Sequence, residues 1–460
     1  MRVAIVTSCF LDRDGLGNSL RDLAAACESF GWKVHVYHEE NEGATVDGFS
    51  SHCLQLSDLL SSCAEGKNHP FFDHDLFIVS YLPYYPLMEV CRFIPAGRLL
   101  IEYPGITPSH FYPEYDPLKK LTENALKHLS LLDLADGLLV HSEYMKKELL
   151  SLHELPEEKI HLLPLAVADH FGPGKGERRP QLLYVGRLTA NKRLDMLLEA
   201  FVEVRKEHPQ TLLTIAGMFE RSTAAKYKDT LSQQAKELGL LEAVTFINSP
   251  SDDELAKLYK QSSLFVTASQ HEGFCIPVAE ALSSALPCVV ANVAATPETM
   301  GQGGLAFEPE KVSSLAKNIT KLLSDPAEME KRRELALEES KRFTLQRFKE
   351  NVKTIIESVM EGPALAEARS EGVFQLIEAA TTSSVRYHDK FQWPIIGSLL
   401  RWFRRKATLP LEVSCVRPLA QQQTLWNRLL VQELRQLRGE LQELRKRQSE
   451  ILAKGAKDDK

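Results

Sequence analysis

The feature that most constrains the fold of this chain is an alternation of strand, loop and helix that occurs twice. Residues 2–8 (RVAIVTS) have the composition of a buried strand, a glycine-bearing loop follows, and a helix at 18–31 precedes the strand WKVHVY. The alternation begins again at residues 181–186 (QLLYVG), before a loop and a helix with leucines at core-facing spacing. Strands that alternate with helices in this way form doubly wound parallel sheets. The sequence therefore predicts an α/β protein with two such units.

The two α/β units are separated by FGPGKGERRP, whose glycine, proline and charge content is typical of a linker. A length of 460 residues exceeds what one hydrophobic core usually supports, which also favours two domains with extensions. The predicted segments are an N-terminal domain (1–170), the linker (171–180), a C-terminal domain (181–342), a helix packing back on the N-terminal domain (343–361), a linker with a basic amphipathic segment (362–423) and a coiled coil (424–453). A cleft between two α/β domains is the default ligand site.

Composition and charge argue against several classes of protein. The formal net charge of -7 disfavours general nucleic-acid binding, which depends on surplus Lys and Arg to neutralise phosphates. The eight cysteines include no Cys-x-x-Cys pair, so we expect reduced thiols in a cytoplasmic protein. No apolar run reaches the roughly 18 residues of a membrane-spanning helix. Because the first predicted strand begins at residue 2, we also expect no signal peptide.

The loop GRLTANK follows the first strand of the second unit and carries two cations. Arg187 comes directly after the strand, and Lys192 lies where the next helix begins. Loops at the carboxyl ends of parallel strands line the ligand crevice, and two long cations beside a helix N-terminus suit a pyrophosphate. A solvated basic turn would account for these two residues equally well.

The segment HEGFCIPVAEAL places two acids on either side of a predicted helix start. Pro277 suits the first position of a helix running to about residue 285, so Glu272 would lie in the preceding loop and Glu280 in the first turn. The helix dipole and the amides of the loop residues before the helix would favour an anion; these residues are Gly273, Phe274 and Cys275. Alternatively, an acid in the first turn stabilises a helix without any ligand.

A glycine-bearing loop, DGLG at 14–17, joins the first strand to the first helix. It lacks the third glycine of a dinucleotide-binding fingerprint, which disfavours a dehydrogenase. Either the backbone approaches a phosphate or sugar here, or the loop is an ordinary tight turn.

Together, these loops resemble the paired signature of the GT-B glycosyltransferases of retaining family 4, the glycosyl transferases group 1. GRLTANK matches Gly-Arg-Leu-x-x-x-Lys, and EGFCIPVAE, about 80 residues later, matches the two glutamates separated by seven residues. VTFINSPSDDELAKLYKQSSLFVTASQHEGF and ALPCVVANVAATPE also match the usual run of that family. The resemblance covers roughly residues 1–360. It implies the GT-B fold, two Rossmann-like domains facing across a cleft, here with a C-terminal helical extension.

The resemblance also implies roles for individual residues. A nucleotide-diphosphate sugar would be held mainly by the C-terminal domain and an acceptor mainly by the N-terminal domain. Arg187 and Lys192 would neutralise the diphosphate, Glu280 would accept hydrogen bonds from the ribose, and Glu272 would contact the sugar hydroxyls. We therefore expect Glu272, Arg187 and Lys192 to act in catalysis. Further donor contacts would come from Gly17, Gly186 and the amides of Gly273, Phe274 and Cys275.

No metal or other cofactor is expected, because the two cations can stabilise the diphosphate leaving group. The sequence DHD at 73–75 resembles a metal-binding Asp-x-Asp, but it precedes its strand. It should therefore lie at the end of the sheet opposite the cleft.

Two positions depart from the family pattern. Cys275 occupies a position where family members usually carry glycine, so its side chain either narrows the space beside the sugar or turns away. Pro104 lies where other members have a histidine. The candidates for acceptor contacts are Tyr81, Glu102 and His110, and packing, loop capping or a surface position would explain each of them as well.

The C-terminal extension has two features of its own. Residues 391–406 (FQWPIIGSLLRWFRRK) mix aromatic and basic residues, which suits an interfacial helix on anionic lipid; packing on the catalytic domains fits equally well. PIIG and QQQTLWN resemble a module of bacterial enzymes of surface polysaccharide assembly. A heptad pattern with Asn427 at an a position runs through residues 427, 430, 434, 437, 441, 444, 448 and 451, which predicts a parallel homodimer.

The resulting prediction is a retaining hexosyltransferase. It would transfer a sugar from a UDP- or GDP-sugar to a glycan or lipid-linked acceptor in cell-surface polysaccharide synthesis, in the cytoplasm and at the inner face of the membrane. One alternative is a catalytically inactive GT-B nucleotide-binding scaffold, suggested by Cys275 and Pro104. A nucleotide-sugar epimerase, which needs no acceptor, is the other.

Overall fold

The computed structural model describes residues 1–8, 15–39, 49–59, 69–82, 85–92, 94, 96–114, 116–174, 176, 178–219, 222–362 and 365. The predicted membrane-contacting segment at 391–406 and the coiled coil at 424–453 lie outside these residues. The chain divides into two units, and the first consists of Met1–Gln55, Asp73–Cys91 and Ala96–Leu365. In the second unit, the described residues are a helical turn at 56–59 and short stretches around 69–72 and 92–94. Both sheets of the protein belong to the first unit.

The N-terminal domain is built on a seven-stranded parallel sheet with strand order β3-β2-β1-β4-β5-β6-β7. Its strands are β1 (Arg2–Thr7), β2 (Lys33–His38), β3 (Ser50–Cys53), β4 (Leu76–Ser80), β5 (Arg98–Glu102), β6 (Gly137–Val140) and β7 (Ile160–Leu162). The helices of this domain are α1 (Gly15–Ser29), α2 (Pro117–Leu126) and α3 (Glu143–Leu152). The central strands β1, β4, β5 and β6 are almost entirely buried because helices cover both faces of a parallel sheet.

The C-terminal domain repeats this design with six parallel strands in the order β10-β9-β8-β11-β12-β13. The strands are β8 (Gln181–Val185), β9 (Leu212–Gly217), β10 (Val244–Asn248), β11 (Leu264–Thr267), β12 (Cys288–Ala291) and β13 (Gly304–Phe307). The helices are α4 (Leu194–Glu207), α5 (Ser222–Glu237), α6 (Asp252–Gln261), α7 (Ile276–Ser283), α8 (Thr296–Met300), α9 (Val312–Ser324) and α10 (Pro326–Ser340).

The last described helix, α11 (Leu345–Glu361), returns to the N-terminal domain. Its buried residues Phe348, Val352 and Ile356 share one hydrophobic core with Val3 and Ile5 of β1. The polypeptide therefore crosses between the two domains a second time, after the linker.

The predicted alternation of strands and helices is confirmed, and two strands were missed. β3 has the sequence SSHC and β13 the sequence GLAF, and neither has the run of branched apolar residues that marks a buried strand. Helix α1 begins at Gly15, earlier than the predicted residue 18. A capping box of Ser251 and Glu254, a pattern contained in the sequence SDDE, begins α6.

Membrane crossing can be judged for the described helices. None of them combines the length and the apolar character needed to span a bilayer.

Candidate active site

The loop after β8 turns abruptly at a glycine. Gly186 has φ +155°, and a Cβ there would lie 2.8 Å from the Tyr184 hydroxyl. A Cβ on Gly217, at the end of β9, would overlap the Gly186 carbonyl oxygen. Because these atoms lie so close together at the ends of the two strands, only glycine fits at either position. Arg187 follows Gly186 directly in the chain.

A buried ion pair joins this loop to the segment between β11 and α7. Lys192 Nζ lies 2.5 Å from Glu272 Oε1, and the two side chains are 9% and 20% exposed. Burial alone would raise the pKa of Glu272, but the Lys192 charge and hydrogen bond, a hydrogen bond from Ser269 and the Arg187 charge outweigh it. The pKa of Glu272 is therefore lowered, and the side chain is a carboxylate at neutral pH.

Arg187 is the exposed cation of the site. Within the described part of the chain its guanidinium takes part in no ion pair, although its charge acts on Glu272. The Tyr184 hydroxyl donates to the Arg187 carbonyl at 3.1 Å, which holds the backbone while the side chain extends into solvent. A guanidinium in this state can bind an anion without first breaking an ion pair.

Residues 271–275, hereafter the donor loop, have backbone carbonyls that are hydrogen-bonded to surrounding groups. The Glu272 carbonyl accepts from the Ala295 amide at 3.2 Å. The Gly273 carbonyl accepts from Ser142 Oγ at 2.6 Å, and the Phe274 carbonyl accepts from Thr299 Oγ1.

Each of these carbonyls belongs to the same planar peptide unit as the amide of the next residue, which points the opposite way. The amides of Gly273, Phe274 and Cys275 therefore point away from the groups that hold the carbonyls. Among the described residues, none of these amides donates to another backbone group. They are N–H groups at a helix N-terminus, the arrangement that binds anions.

Cys275 is the N-cap of α7 and has a left-handed backbone, with φ +77° and ψ +70°. This conformation favours glycine, which the related family has at this position. The side chain is buried in the core that includes Phe274 and Val278, and the charges of Glu272 and Lys192 act on its thiol. Burial raises the pKa of Cys275 well above its usual value, so the thiol is neutral.

Glu280 lies deeper in α7 than the sequence indicated. The helix begins at Ile276, one residue before Pro277, so Glu280 is its fifth residue and not part of its first turn. Its Oε2 accepts a hydrogen bond from the Tyr259 hydroxyl at 2.7 Å. Burial raises the pKa of Glu280 to about 7, and the Tyr259 hydrogen bond only partly opposes this effect.

The helices that carry Glu280 and Tyr259 share one cap from the linker. The Arg178 guanidinium donates to the carbonyls of Tyr259 and Ser262 at 2.8 Å each, and to the carbonyls of Ser284 and Ala285. These carbonyls lie at the C-termini of α6 and α7, where backbone acceptors have no partner within the helix. This cap was missed in the sequence, where Arg178 is one of several charges in a linker.

The N-terminal domain contacts the donor loop at Gly273. A Cβ on Gly273 would lie 2.8 Å from the Pro104 carbonyl oxygen and would overlap the Met145 side chain. Gly17, predicted to lie near the donor, is a buried residue in the first turn of α1. Asp14 of the same loop lies outside the described residues.

The predicted acceptor residues require correction. Tyr81 is fully buried, and its hydroxyl donates to the Ala125 carbonyl at 2.6 Å. Glu102 is 1% exposed and accepts from Ser19 and Ser80. In this structure, neither side chain is accessible to an acceptor.

The polar groups of Tyr81 and Glu102 instead satisfy hydrogen bonds inside the N-terminal core. Of the three predicted acceptor residues, only His110 lies at the surface, with its ring centroid 4.2 Å from that of Phe111.

The DHD sequence lies, as predicted, before β4. Asp75 accepts a hydrogen bond from the Arg2 amide at 2.7 Å, at the amino ends of the strands and away from the donor loop. Within the described residues there is no group of three His, Cys, Asp or Glu side chains arranged to hold a metal ion.

Comparison with known proteins identifies a protein family that matches part of the chain. Residues 168–341 match the model described as Glycosyl transferases group 1. Over 249 residues the chain is 27% identical to the O-antigen chain mannosyltransferase B of Escherichia coli, covering 50% of this chain and 63% of that protein. The chain spans about half the length of the curated relatives it matches.

Two solved structures extend the likeness over most of the described chain. The sucrose-phosphate synthase of Thermosynechococcus elongatus superposes with a TM-score of 0.66 at 18% identity, over 78% of this chain and 98% of that one. Anabaena Alr3699/HepE, solved with UDP and glucose, has a TM-score of 0.64 at 16% identity, over 78% of this chain and 100% of that one. Together with the two parallel sheets, these likenesses confirm the predicted GT-B fold.

Proposed function

We propose that this chain, which carries a Glycosyl transferases group 1 domain at residues 168–341, is a retaining hexosyltransferase. Its donor is a nucleotide-diphosphate sugar, with UDP or GDP as the nucleotide. The acceptor is a glycan or a lipid-linked glycan, and the reaction belongs to the synthesis of a cell-surface polysaccharide. Retention of configuration is taken from the resemblance to family 4.

The observation that carries the proposal is the convergence of positive groups on the donor loop. The exposed Arg187 guanidinium, the buried Lys192 ammonium and three amides that lack backbone acceptors all lie at the carboxyl ends of β8 and β11. Ligands of open α/β sheets bind at this edge. A diphosphate has the charge and the acceptor geometry that such a set of donors requires.

The same groups suit the chemistry of glycosyl transfer. When the bond from the anomeric carbon to the diphosphate breaks, negative charge develops on the leaving group. Arg187, Lys192 and the loop amides are already oriented around the place where this charge appears. Such fixed donors stabilise a transition state more than water can, because they need no reorganisation.

The two glutamates serve different parts of the donor in this proposal. Glu272, an ionised carboxylate held by Lys192, accepts hydrogen bonds from the sugar hydroxyls. Glu280, on α7, accepts them from the ribose hydroxyls. Its carboxylate has one hydrogen bond from Tyr259 and retains further acceptor capacity.

The activities named for the relatives support the transfer of a hexose and a product at the cell surface. One curated relative is an O-antigen chain mannosyltransferase, and one structural neighbour was solved with UDP and glucose. Another neighbour, with a TM-score of 0.60 at 16% identity, is WaaG, described as a glycosyltransferase involved in lipopolysaccharide biosynthesis.

The inactive-scaffold alternative loses part of its support. Cys275 adopts the left-handed backbone that glycine would adopt, and its side chain is 7% exposed and packs in the core. It therefore presents little surface to the space beside the sugar. Pro104 contributes its carbonyl to the contact with Gly273 and supplies no proton, so any proton transfer has to use another group.

The test is a screen of UDP- and GDP-sugars for nucleotide release by the wild type and by Arg187→Ala. Because Arg187 is exposed and has no ion pair among the described residues, we expect the variant to fold normally. Losing one preorganised donor should lower kcat by about 100-fold or more. Lys206→Ala, which removes an exposed cation on α4, is the matched control and should leave release unchanged.

Three results would contradict the proposal. Saturable nucleotide binding without release from any donor supports the scaffold. Conversion of the donor sugar to its epimer without an acceptor supports the epimerase. Equal release by wild type and Arg187→Ala would mean that the cation does not face the leaving group.

Two further parts of the proposal concern residues outside those the structure describes. Residues 391–406 would hold the protein at the inner face of the membrane, and residues 427–452 would form a homodimer. Deleting 391–406 should reduce co-sedimentation with anionic vesicles, and unchanged co-sedimentation argues against membrane contact. Light scattering of the full-length chain should give the mass of a dimer, and a monomeric mass refutes the coiled coil.

A further inference from the structure

Helix α3 of the N-terminal domain begins at a residue that also holds the donor loop. Ser142 is the N-cap of α3, and its Oγ accepts from the Met145 amide at 3.0 Å. The same hydroxyl donates to the Gly273 carbonyl at 2.6 Å. Because that peptide unit is planar, the contact also sets the direction of the Phe274 amide. One serine therefore couples the start of α3 to one of the amides that face the diphosphate.

The first amides of α3 are bound by a carboxylate from the C-terminal domain. Glu298, in α8, accepts from the Glu143 amide at 2.7 Å and from the Tyr144 amide at 3.0 Å. Amides in the first turn of a helix have no partner within the helix and attract negative charge. Glu298 supplies that charge only while the two domains are in contact.

A third contact lies beside Glu272. His271 Nε2 is 2.7 Å from Glu148 Oε1, and the side chains are 5% and 13% exposed. The Tyr144 hydroxyl donates to the same Glu148 oxygen at 3.0 Å. His271 directly precedes Glu272, so Glu148 on α3 fixes the chain next to the carboxylate that we assign to the donor sugar.

Helix α3 makes all three contacts with the C-terminal domain. Ser142 and Glu148 reach the donor loop at Gly273 and His271, and the first amides of α3 reach Glu298 in α8. Arg187, Lys192 and Glu280 take part in none of them. The side chains assigned to the nucleotide are therefore independent of α3, whereas the Gly273 carbonyl and the His271 side chain are held by it.

We propose that Ser142, Glu148 and Glu298 are positioning residues, and that α3 completes the catalytic arrangement of the donor loop when the two domains close. This inference rests on the proposed function, because the loop is assigned to donor chemistry there. It requires no contact between α3 and the donor itself. Nucleotide binding to the C-terminal domain is separable from assembly of the loop.

Two variants test the proposal in the full-length protein, Glu298→Ala and Ser142→Ala. Glu298→Ala removes the acceptor of the Glu143 and Tyr144 amides, and Ser142→Ala removes both the donor to Gly273 and the cap of the Met145 amide. Both variants leave Arg187 and Lys192 untouched. We expect kcat to fall about tenfold in each, the effect of one lost charge-assisted or buried hydrogen bond. The affinity for UDP or GDP should stay within about threefold of wild type, because Arg187, Lys192 and Glu280 are intact and only the loop amides are redirected. Ser142→Thr keeps the hydroxyl and should restore kcat.

Hydrogen exchange distinguishes positioning from a local structural role. Glu298→Ala should accelerate exchange of the amides at 278–279, which donate to the Cys275 carbonyl at the end of the loop, although Glu298 makes none of the hydrogen bonds of that loop. Ser142→Ala should accelerate exchange at 296–300 for the same reason. Glu158→Ala, an exposed acid of the N-terminal domain, is the matched control and should change neither segment.

The outcomes separate this inference from the proposed function. If the wild type releases no nucleotide from any donor, the proposed function fails, and the exchange experiment still tests the coupling between α3 and the loop. If the wild type is active and both variants match it in kcat, the inference is overturned. A lower kcat without accelerated exchange in the distant segment also overturns it, because the effect would then be local.

Discussion

Replacing Glu280 with glutamine is expected to stabilise the unliganded protein above pH 7 and to weaken binding of the donor. Glu280 is a partly buried carboxyl on α7 with one hydrogen bond, from the Tyr259 hydroxyl. Burial raises its pKa from 4.5 to about 7. Glutamine has the same shape, keeps an oxygen for Tyr259 and carries no charge to desolvate.

The sign of the pH dependence follows from the raised pKa. Between pH 4.5 and about 7 the folded protein binds a proton at Glu280 more tightly than the unfolded chain does. The contribution of this group to stability is therefore fully present below pH 4.5 and is lost as the pH rises through about 7. At about 1.4 kcal/mol per pKa unit, the difference is about 3 kcal/mol at pH 8. Solvent screening at the partly exposed carboxyl lowers the expected value to about 2 kcal/mol.

The assay is thermal unfolding of the wild type and Glu280→Gln from pH 5 to pH 8. For a domain of this size, about 2 kcal/mol corresponds to a Tm increase of roughly 4–8 °C at pH 8, with little change at pH 5. Glu199→Gln, at an exposed position on α4, is the control and should show no pH-dependent difference. A difference that is constant across the pH range would refute the reasoning, as would a destabilised variant at pH 8.

The same variant tests the assignment of Glu280 to the ribose. Replacing a carboxylate acceptor by an amide should weaken nucleotide binding by about 10- to 100-fold at pH 8. The loss should diminish towards pH 6, where the wild-type carboxyl is itself largely protonated. Unchanged affinity at pH 8 would mean that Glu280 is desolvated for a reason other than donor binding.

Substitutions at three other positions have expected outcomes. At position 275, Cys275→Gly should be more stable than Cys275→Ala by about 1 kcal/mol, because only glycine adopts the left-handed N-cap without strain. Equal Tm values for the two variants would contradict this strain. Cys275→Gly should also retain the use of the donor. Lys192→Met should cost about 3 kcal/mol by leaving Glu272 buried without its cation. The wild type loses stability as the pH falls through the lowered pKa of Glu272, and the variant should not show this loss. If both proteins lose the same stability at low pH, the pairing of Lys192 with Glu272 is contradicted. Arg178→Ala should lower the free energy of unfolding by about 2 kcal/mol, since four helix-end carbonyls lose their donor, and an unchanged Tm would show that water replaces it.

Much of the fold could be predicted because its signals are local. Buried parallel strands are short apolar runs, and the capping box at Ser251 is contained within four residues. β3 was missed because its residues are small or polar, and β13 because its four residues contain two small ones and no β-branched one. Only pairing with a neighbouring strand identifies either as a strand.

The candidate site was predicted in part for the same reason. Arg187 and Lys192 follow a strand whose carboxyl end must face the crevice, so their place could be inferred from the chain order. Tyr81 and Glu102 also follow or end strands, but partners distant in the sequence, such as Ala125 and Ser19, draw their polar groups into the core. Local pattern carries no information about such partners.

The sequence by itself determined the two α/β units, the crevice edge and the residue types available there, because all three follow from periodicity and chain order. Only the tertiary structure decided that Lys192 pairs with Glu272, that the Cys275 side chain is buried, and that α3 contacts the donor loop. The physical reason is that burial and hydrogen bonding join groups far apart in the chain, such as Glu143 and Glu298, which are separated by 155 residues. Their energies depend on the folded arrangement and not on the neighbouring residues in the chain.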